Sequence, residues 1–283
     1  MNHPNRFLSS VKVFILFIFL LFTANLKAQI LVGPVAGGQI GWIIFNEKAN
    51  KDLYKTKPYI GFHAGGSVSF RVQKTFFLQT SIMYAQRGKT LVGKIDKSFN
   101  INAKYKYIDM PILFAKEFKA KFGKKRFYKW QVGAGPTISY WLGGKGLLNS
   151  IDLNENAINP PNYDLPYHIT FGKDPESVNQ GEMNIENPNR IQLGLNFSGG
   201  LIFEPIGLNK FMVTIQYQLA HSFLSPDSKG DFGLDGTLYY EDDLKVRNQG
   251  LALSISYFID LKTEEKNKGK STIKLDKIRK GRR

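Results

Sequence analysis

The chain of 283 residues contains no cysteine. This absence excludes disulfide bonds and thiolate metal sites, and it excludes the lipid anchor that a lipoprotein carries on a cysteine at its signal cleavage site. A membrane-spanning helix needs about 20 consecutive apolar residues, and the chain has no run close to that length beyond its N-terminal region. A membrane-embedded form of this protein therefore has to cross the bilayer with strands.

The N-terminal region has the form of a secretory signal. Arg6 and Lys12 precede an apolar run over residues 13–22, and a small residue, Ala28, ends the region. A basic segment, an apolar run of about ten residues and a small residue at the end are typical of exported chains. We predict cleavage after Ala28, so that residues 1–28 are the signal peptide. An uncleaved anchor is the alternative.

The last strand-like segment, residues 250–260, alternates with a period of two residues. One face carries Leu251, Leu253, Ile255, Tyr257 and Ile259, and the other carries Ala252, Ser254, Ser256, Phe258 and Asp260. A strand of a soluble sandwich would place Lys and Glu on its solvated face. Large aliphatic residues against small, polar ones instead favour a strand with lipid on one side and a narrow interior on the other.

Seven further segments are predicted as strands of the same kind. They cover about residues 30–44, 58–71, 75–87, 105–117, 127–142, 190–204 and 210–221. Amphipathic strands in an exported chain favour a closed barrel, because closure leaves no strand edge unpaired in lipid. We predict an all-β fold, an eight-stranded antiparallel transmembrane β-barrel over residues 29–261. Within the fourth strand, Pro111 predicts a bulge or an irregular pairing.

The connections alternate between short and long. The short ones lie near residues 72–74, 118–126 and 205–209, and the long ones cover residues 45–57, 88–104, 143–189 and 222–248. Bacterial outer-membrane barrels have short periplasmic turns and long extracellular loops. We therefore expect an outer-membrane location with both termini in the periplasm and with membrane lipid around the barrel.

The net charge is strongly positive, with 39 Lys+Arg against 23 Asp+Glu. Such a balance alone is compatible with a nucleic-acid partner. The export signal argues against that partner. In the predicted topology, much of the positive charge lies on the periplasmic face, in the link over residues 118–126 and in the C-terminal tail.

Charged residues at inward positions are the first candidate site. They are Arg71, Arg87, Asp109, Glu204 and Asp260. An eight-stranded barrel is just wide enough inside for its own side chains, so we expect no solute channel. We predict that these charges pair with one another or with water as a polar plug. A proton path or a catalytic site is the alternative.

Aromatic residues cluster near the predicted strand ends, where the two interfacial girdles of a membrane barrel lie. The predicted girdle residues are Trp42, Tyr59, Tyr84, Tyr105, Tyr107, Trp130, Tyr140, Trp141 and Tyr257. The alternative is that these positions only reflect the general preference of strands for aromatic residues.

The sequence offers little for catalysis. His63 is predicted to point inward, and His168 lies in the longest loop. His221 with Ser222 or Ser225 is a weak candidate for the nucleophile and base of a lipid-modifying barrel enzyme. No recognisable motif supports that pairing, so we expect no enzyme activity.

Metal and cofactor binding are also not indicated. No two histidines have the spacing of metal ligands. The acidic run Glu241–Asp243 is interpreted as a solvated loop. We therefore expect no metal and no cofactor.

The basic tail, residues 262–283, is the second candidate site. A hydrophilic linker is followed by apolar residues among basic ones: Ile273, Lys274, Leu275, Lys277, Ile278 and Arg279. We predict that this segment docks on an outer-membrane or periplasmic protein complex, or lies on anionic lipid. A disordered, solvated tail is the alternative.

Two segments carry a family resemblance. Residues 107–113 (YIDMPIL) and residues 130–136 (WQVGAGP) resemble the PorT-like outer-membrane barrels of Bacteroidetes, and so does the glycine-rich first strand. Residues 250–258 also resemble the final-strand signal of barrel assembly. The resemblance covers about residues 30–260, and the long basic tail departs from the family pattern.

The resemblance implies a non-enzymatic accessory component of type IX protein secretion and gliding, and it supplies no catalytic residues. A stand-alone barrel that tethers the outer membrane to periplasmic partners or peptidoglycan is the alternative. A lipid-modifying barrel enzyme is less favoured.

Overall fold

Long antiparallel strands dominate the computed structural model of the chain. The structure describes residues 29–122, 126–151, 153, 164–174, 177–204, 209–227, 229–233 and 240–261. The predicted signal peptide and the predicted tail lie outside the described residues. No helix among the described residues combines the length and the apolar character needed to cross a membrane.

The elements follow one another along the chain as thirteen strands and a short helix in the described part. They are β1 (Ile30–Phe45), α1 (Lys48–Leu53), β2 (Tyr54–Lys57), β3 (Tyr59–Arg71), β4 (Phe76–Gly93), β5 (Asn100–Phe122), β6 (Arg126–Asn149), β7 (Leu165–Phe171), β8 (Glu182–Ile185), β9 (Ile191–Phe203), β10 (Lys210–Ala220), β11 (Gly230–Phe232), β12 (Glu241–Asp242) and β13 (Val246–Asp260).

Eight of these strands close into a ring. The order around the ring is β1, β3, β4, β5, β6, β9, β10 and β13, and β13 pairs again with β1; every pairing is antiparallel. Because each strand has two neighbours, the ring has no free edge over its membrane-spanning part. The predicted eight-stranded antiparallel barrel is confirmed.

The barrel has two different ends. Short connections such as residues 72–75 define the turn end, and long connections define the loop end. Leu31 opposes Asp260, so the first and last strands both reach the turn end. Three strands extend further than predicted at the loop end: β4 runs to Gly93, β5 starts at Asn100 and β6 continues to Asn149.

Extra strands continue the sheet beyond the ring at the loop end. Residues 145–148 of β6 pair with β7, β7 pairs in parallel with β8, and β8, β11 and β12 continue antiparallel. On another side of the ring, β2 pairs with the end of β4. We call the loop-end parts of β4–β6 together with β7, β8, β11 and β12 the cap.

The inside of the molecule has three layers. The turn-end cluster is apolar and consists of Leu31, Phe77, Ala115, Ile202, Met212 and Phe258. The polar layer above it contains the buried residues His63, Ser67, Ser69, Gln79, Ser81, Arg87, Asp109, Gln131, Thr137, Ser139, Gln192, Asn196, Ser198, Thr214, Asn248, Ser254 and Ser256. The cap core lies at the loop end and is the larger apolar cluster; its aromatic members are Phe45, Phe99, Tyr105, Tyr107, Trp141, Tyr167 and Phe232.

The outer face of the ring is apolar, as the alternation predicted. Leu253 and Ile255 on β13 are half exposed, whereas Ser254 and Ser256 between them have exposed fractions of 1% and 2%. The same division holds on β9 and β10. Lipid is the solvent that suits such an outer face.

The irregular pairing expected at Pro111 is confirmed, because Met110 and Pro111 have no paired residue on β4 and Ile112 and Leu113 have none on β6. The bulge of β5 lies elsewhere. The register of β5 against β4 and β6 is the same on both sides of Pro111. The shift against β6 falls between Lys106 and Tyr107, opposite Gly143, whose φ is +140°. Glycine adopts this backbone conformation without the steric cost that other residues have, so the bulge forms there.

Candidate functional site in the barrel interior

Arg87 and Asp109 form an ion pair in the polar layer. Nη2 of Arg87 on β4 donates to Oδ2 of Asp109 on β5, and both side chains are buried. The same nitrogen lies 3.4 Å from the hydroxyl of Ser139 on β6, and the guanidinium lies 4.8 Å from the ring centroid of Tyr107. The pair therefore connects three neighbouring strands and neutralises two charges that would be costly if buried alone.

A small cavity lies beside this ion pair, with a volume of about 30 Å³. Arg87, Asp109, Thr137 and Asn196 line it together with other polar residues. A volume of this size holds one or two water molecules. The cavity can hydrate the polar layer, but it is too small for a solute.

His63 points inward, as predicted, and is 3% exposed. Its Nε2 lies 2.8 Å from the hydroxyl of Ser254 on β13. Gly37 on β1 makes room for the imidazole, because a Cβ atom at this position would lie 2.8 Å from the ring and 2.0 Å from the carbonyl oxygen of Leu253. The histidine thus bridges β3 and β13 across β1, which carries no side chain at that point.

The other predicted interior charges lie toward the turn end. Arg71 places its guanidinium 5.0 Å from the ring centroid of Phe77, and Asp260 accepts a hydrogen bond from Gln29. Glu204 forms ion pairs with Lys129 and Lys210. Burial raises the pKa of the Glu204 carboxyl, but the two lysines outweigh burial and hold this pKa below its usual range.

Of the five predicted charges, Arg87 and Asp109 thus pair with each other. The partners of Glu204, Lys129 and Lys210, were not among the predicted site residues. Lys210 is the first residue of β10 and has inward parity, so the period-two pattern of that strand carried the signal that finds it.

A second buried ion pair was missed by the sequence analysis. Lys89 on β4 donates to Asp242 on β12 within the cap, and the two side chains are 0% and 2% exposed. Burial raises the pKa of the Asp242 carboxyl, and the charge of Lys89 opposes that rise. The interpretation of Glu241–Asp243 as a solvated loop is therefore wrong for Asp242. Lys89 follows inward Arg87 by two residues, so a longer strand in the prediction would have placed it inside.

Three predicted girdle residues lie inside the cap core instead. Tyr105, Tyr107 and Trp141 have no exposed surface. Trp141 packs edge-on against Tyr105 at 5.4 Å between ring centroids, and its Nε1 donates to the carbonyl oxygen of Gly143. The hydroxyl of Tyr107 accepts a hydrogen bond from Asn248 of the polar layer. Their inward parity explains the error, because aromatic content alone does not define the side of the strand on which a residue lies.

The candidate catalytic serines have structural hydrogen bonds. The hydroxyl of Ser222 accepts from the backbone N–H of Leu193, and the hydroxyl of Ser225 donates to the carbonyl oxygen of Asn187. Ser225 is fully buried, whereas His221 is exposed. This arrangement gives no support to a nucleophile and base at this site.

The remaining site predictions add no chemistry to the interior. His168 lies in β7, where its Nε2 is 3.3 Å from Glu182, and it is exposed. Across the described ranges, no group of three or more His, Asp and Glu side chains could hold a metal ion. The predicted docking residues Ile273, Lys274, Leu275, Lys277, Ile278 and Arg279 lie outside the described residues.

Comparisons with known proteins agree with this architecture. The model of the family described as outer membrane protein beta-barrel domain matches residues 23–223. No curated protein matches the chain in sequence.

Among solved structures, OprG from Pseudomonas aeruginosa is similar over 82% of this chain and 94% of its own, with 10% identity and a TM-score of 0.43. Neisserial surface protein A is similar over 83% and 99%, with 10% identity and a TM-score of 0.34. Ail of Yersinia pestis is similar over 82% and 97%, with 12% identity and a TM-score of 0.32.

Proposed function

Because the chain belongs to the outer membrane protein beta-barrel domain family, we propose that it is a non-conducting, non-enzymatic scaffold subunit of an outer-membrane protein assembly. The observation that carries this proposal is the filled interior. A polar layer with room for one or two waters lies between two apolar layers. A hydrated ion on this route would have to lose its water next to buried aromatic rings, which is prohibitively costly.

A scaffold needs a surface for partners, and the loop end of the molecule supplies one. Leu53, Ile95, Leu147 and Ile151 are large apolar residues at the loop end with exposed fractions between 43% and 85%. Exposed apolar side chains on a face that projects from the barrel favour protein contact. We infer that partners bind on this face.

The finer assignment rests on the resemblance to PorT-like barrels. In this proposal the chain is an accessory component of type IX protein secretion and gliding, with the turn end and both termini in the periplasm. Deleting the gene and profiling secreted proteins tests the assignment. Loss of exported proteins from the medium, restored by the intact gene, is the expected result; an unchanged profile contradicts it.

A separate experiment tests whether the barrel conducts ions, independently of its role in secretion. Purified protein in planar bilayers should give no stepwise current. A variant with Trp141→Ala, Tyr105→Ala and Tyr107→Ala removes the aromatic layer and serves as the comparison. Regular conductance steps from the unaltered protein would overturn the scaffold proposal.

The tethering alternative is favoured by one observation. The paired residues Leu31 and Asp260 place both ends of the barrel at the turn end, so the basic segment 262–283 continues from that side. Truncation after Leu261 keeps the last strand and removes the tail. If periplasmic partners or peptidoglycan still co-purify with the truncated barrel, neither tethering nor docking by the tail holds.

A further inference from the structure

The wall of the barrel is split at the loop end between β1 and β2. Pairing of β1 with β3 ends where Gly41 opposes Tyr59, although β1 continues to Phe45 along β13. β2 does not extend this pairing, because it turns to β4 instead. Residues 42–45 therefore have a strand on one side and a groove on the other.

Pro58 accounts for the split. Proline lacks a backbone N–H and stands between β2 and β3. Lys57 on β2 opposes Thr90, and His63 on β3 opposes Ala85. The chain advances six positions from Lys57 to His63, but only five positions separate their partners on β4. This change of register separates β2 from the course of β3 and directs it away from β1.

The groove has an apolar floor and a basic rim. Its volume is about 390 Å³. Ile43, Phe45 and Tyr54 connect it to the cap core, and Trp42 and Ile44 form its wall on the β1 side. Of the nine residues that line it, three are exposed lysines, Lys51, Lys55 and Lys94, and none is acidic.

Hydrogen bonds place the three lysines around the groove. Nζ of Lys94 donates to the carbonyl oxygen of Lys51 at 2.6 Å, and the backbone N–H of Lys94 donates to Leu53. The nearby carboxylate of Asp96 accepts from both the backbone N–H and the hydroxyl of Ser98. Among the described residues, no carboxylate forms an ion pair with Lys51, Lys55 or Lys94.

The groove lies at the level where the apolar outer face ends. Below it, Ile40 and Ile60 are large and exposed. At its own level, Trp42 packs near Tyr217, whose hydroxyl donates to Gln249. Aromatic and polar side chains mixed on the outer face are typical of the headgroup region of a bilayer.

We propose that this groove binds the phosphomonoester headgroup of a phosphorylated glycolipid in the outer membrane, with the acyl chains along Ile40 and Ile60. Lysine is a common phosphate ligand, and a phosphomonoester has a charge of about −1.5 to −2 at neutral pH. Three lysines without a carboxylate match the charge of a phosphomonoester better than they match the smaller charge of a phosphodiester. The apolar floor suits the lipid side of the headgroup.

The experiment is native mass spectrometry of the detergent-solubilised full chain titrated with lipid A. Lys51→Gln, Lys55→Gln and Lys94→Gln together should weaken binding at least about tenfold, since they remove all three positive charges that line the groove. Lys104→Gln, Lys106→Gln and Lys145→Gln remove the same charge from outside the groove and should leave binding nearly unchanged. Heat-modified gel mobility shows that each variant is folded.

Further arms identify the ligand. Dephosphorylated lipid A and phosphatidylglycerol should each bind at least about tenfold more weakly than lipid A. Thr56→Trp fills the groove without a change of charge and should also abolish binding. Equal effects of the two lysine triples, or equal binding of the three lipids, would overturn the proposal. None of these measurements depends on secretion or conductance, so the scaffold proposal stands or falls separately.

Discussion

Strand β5 passes through two environments, and its two halves carry opposite patterns. From Ile108 to Phe114, its outward residues are apolar and Asp109 points inward. From Tyr107 toward the loop end, the parity is unchanged, but Lys104 and Lys106 point outward while Tyr105 points inward. At the level of the polar layer the ring is thus polar inside and apolar outside, whereas the cap is built like a soluble protein.

This inversion locates the membrane boundary within a single strand. The same change occurs on β13, where Leu251 and Leu253 are exposed but Gln249 and Arg247 replace them toward the loop end. Outward aliphatic side chains of the ring contact fluid lipid, which closes around a shortened side chain, whereas the close-packed cap core keeps a cavity. The two regions should therefore respond differently to the same kind of substitution.

The largest effect should come from Asp242→Ala in the cap. This change leaves the Lys89 ammonium buried and unpaired, which costs about 3–5 kcal/mol. Limited proteolysis in vesicles should cut the cap and spare the ring strands. The double variant Lys89→Met, Asp242→Leu is the control and should recover most of the stability, because an apolar pair of similar volume replaces the ion pair. Equal proteolysis of the cap in the single and the double variant would contradict a role for the unpaired ammonium of Lys89.

A smaller effect is expected at the seam between β1 and β13. Gly37→Ala puts a Cβ atom 2.0 Å from the carbonyl oxygen of Leu253, and we expect a loss of about 1–3 kcal/mol from overpacking. Gly38→Ala is the matched control, since its Cβ faces outward with its nearest neighbour 4.0 Å away. Urea unfolding in lipid vesicles measures both. A similar midpoint for the two variants rules out a steric need for glycine at position 37.

A conservative pair compares the two solvents directly. Ile101→Val in the cap core should cost about 0.5–1.5 kcal/mol, because it removes a buried methylene group. Ile215→Val on the outward face of β10 should cost less, since fluid lipid fills the space of the removed methylene and no cavity remains. The difference between the unfolding midpoints is the measurement. The comparison fails if the lipid-facing change is the larger one.

The smallest effect is a pH dependence of strand β8 in the cap. The hydrogen bond from Lys173 and the backbone N–H of Asn179 lower the pKa of Glu182 to about 2. A lowered pKa stabilises the fold above the unfolded pKa of about 4.3. That stability is lost as the pH falls from about 4 toward 2.

Hydrogen exchange of β8 over this range checks the prediction. Protection of β8 should decrease as the pH falls in the unaltered protein. Glu182→Gln should remove most of the pH dependence of β8. Unchanged exchange of β8 in the unaltered protein would show that this carboxylate does not hold the strand.

The ring could be predicted because lipid and interior impose opposite side chains on alternate positions. In residues 250–260 that contrast is nearly complete, and the observed β13 agrees with it. The cap could not be predicted in the same way. The predicted strands all have one polarity of alternation, so they stop near the point where the polarity inverts, and Leu91 and Ile101 fall in a predicted loop although both are buried.

The candidate site was predicted in part for the same reason. Arg87 and Asp109 were placed inside by parity, but parity alone does not identify the partner across strands. Asp242 required knowledge that a loop folds back over the barrel, which only tertiary contacts define. The groove at residues 42–45 depends on a register change at Pro58, which was predicted only as the first residue of a strand.

The seam of the ring joins parts of the chain that are synthesised far apart in time. Gln29 and Asp260 are hydrogen-bonded although 231 positions separate them. Until the final strand arrives, β1 and β10 each keep an open edge that invites pairing with other chains. Folding therefore has to wait for the complete polypeptide, and a chain interrupted before residue 246 has no native state to reach, however well its other strands are formed.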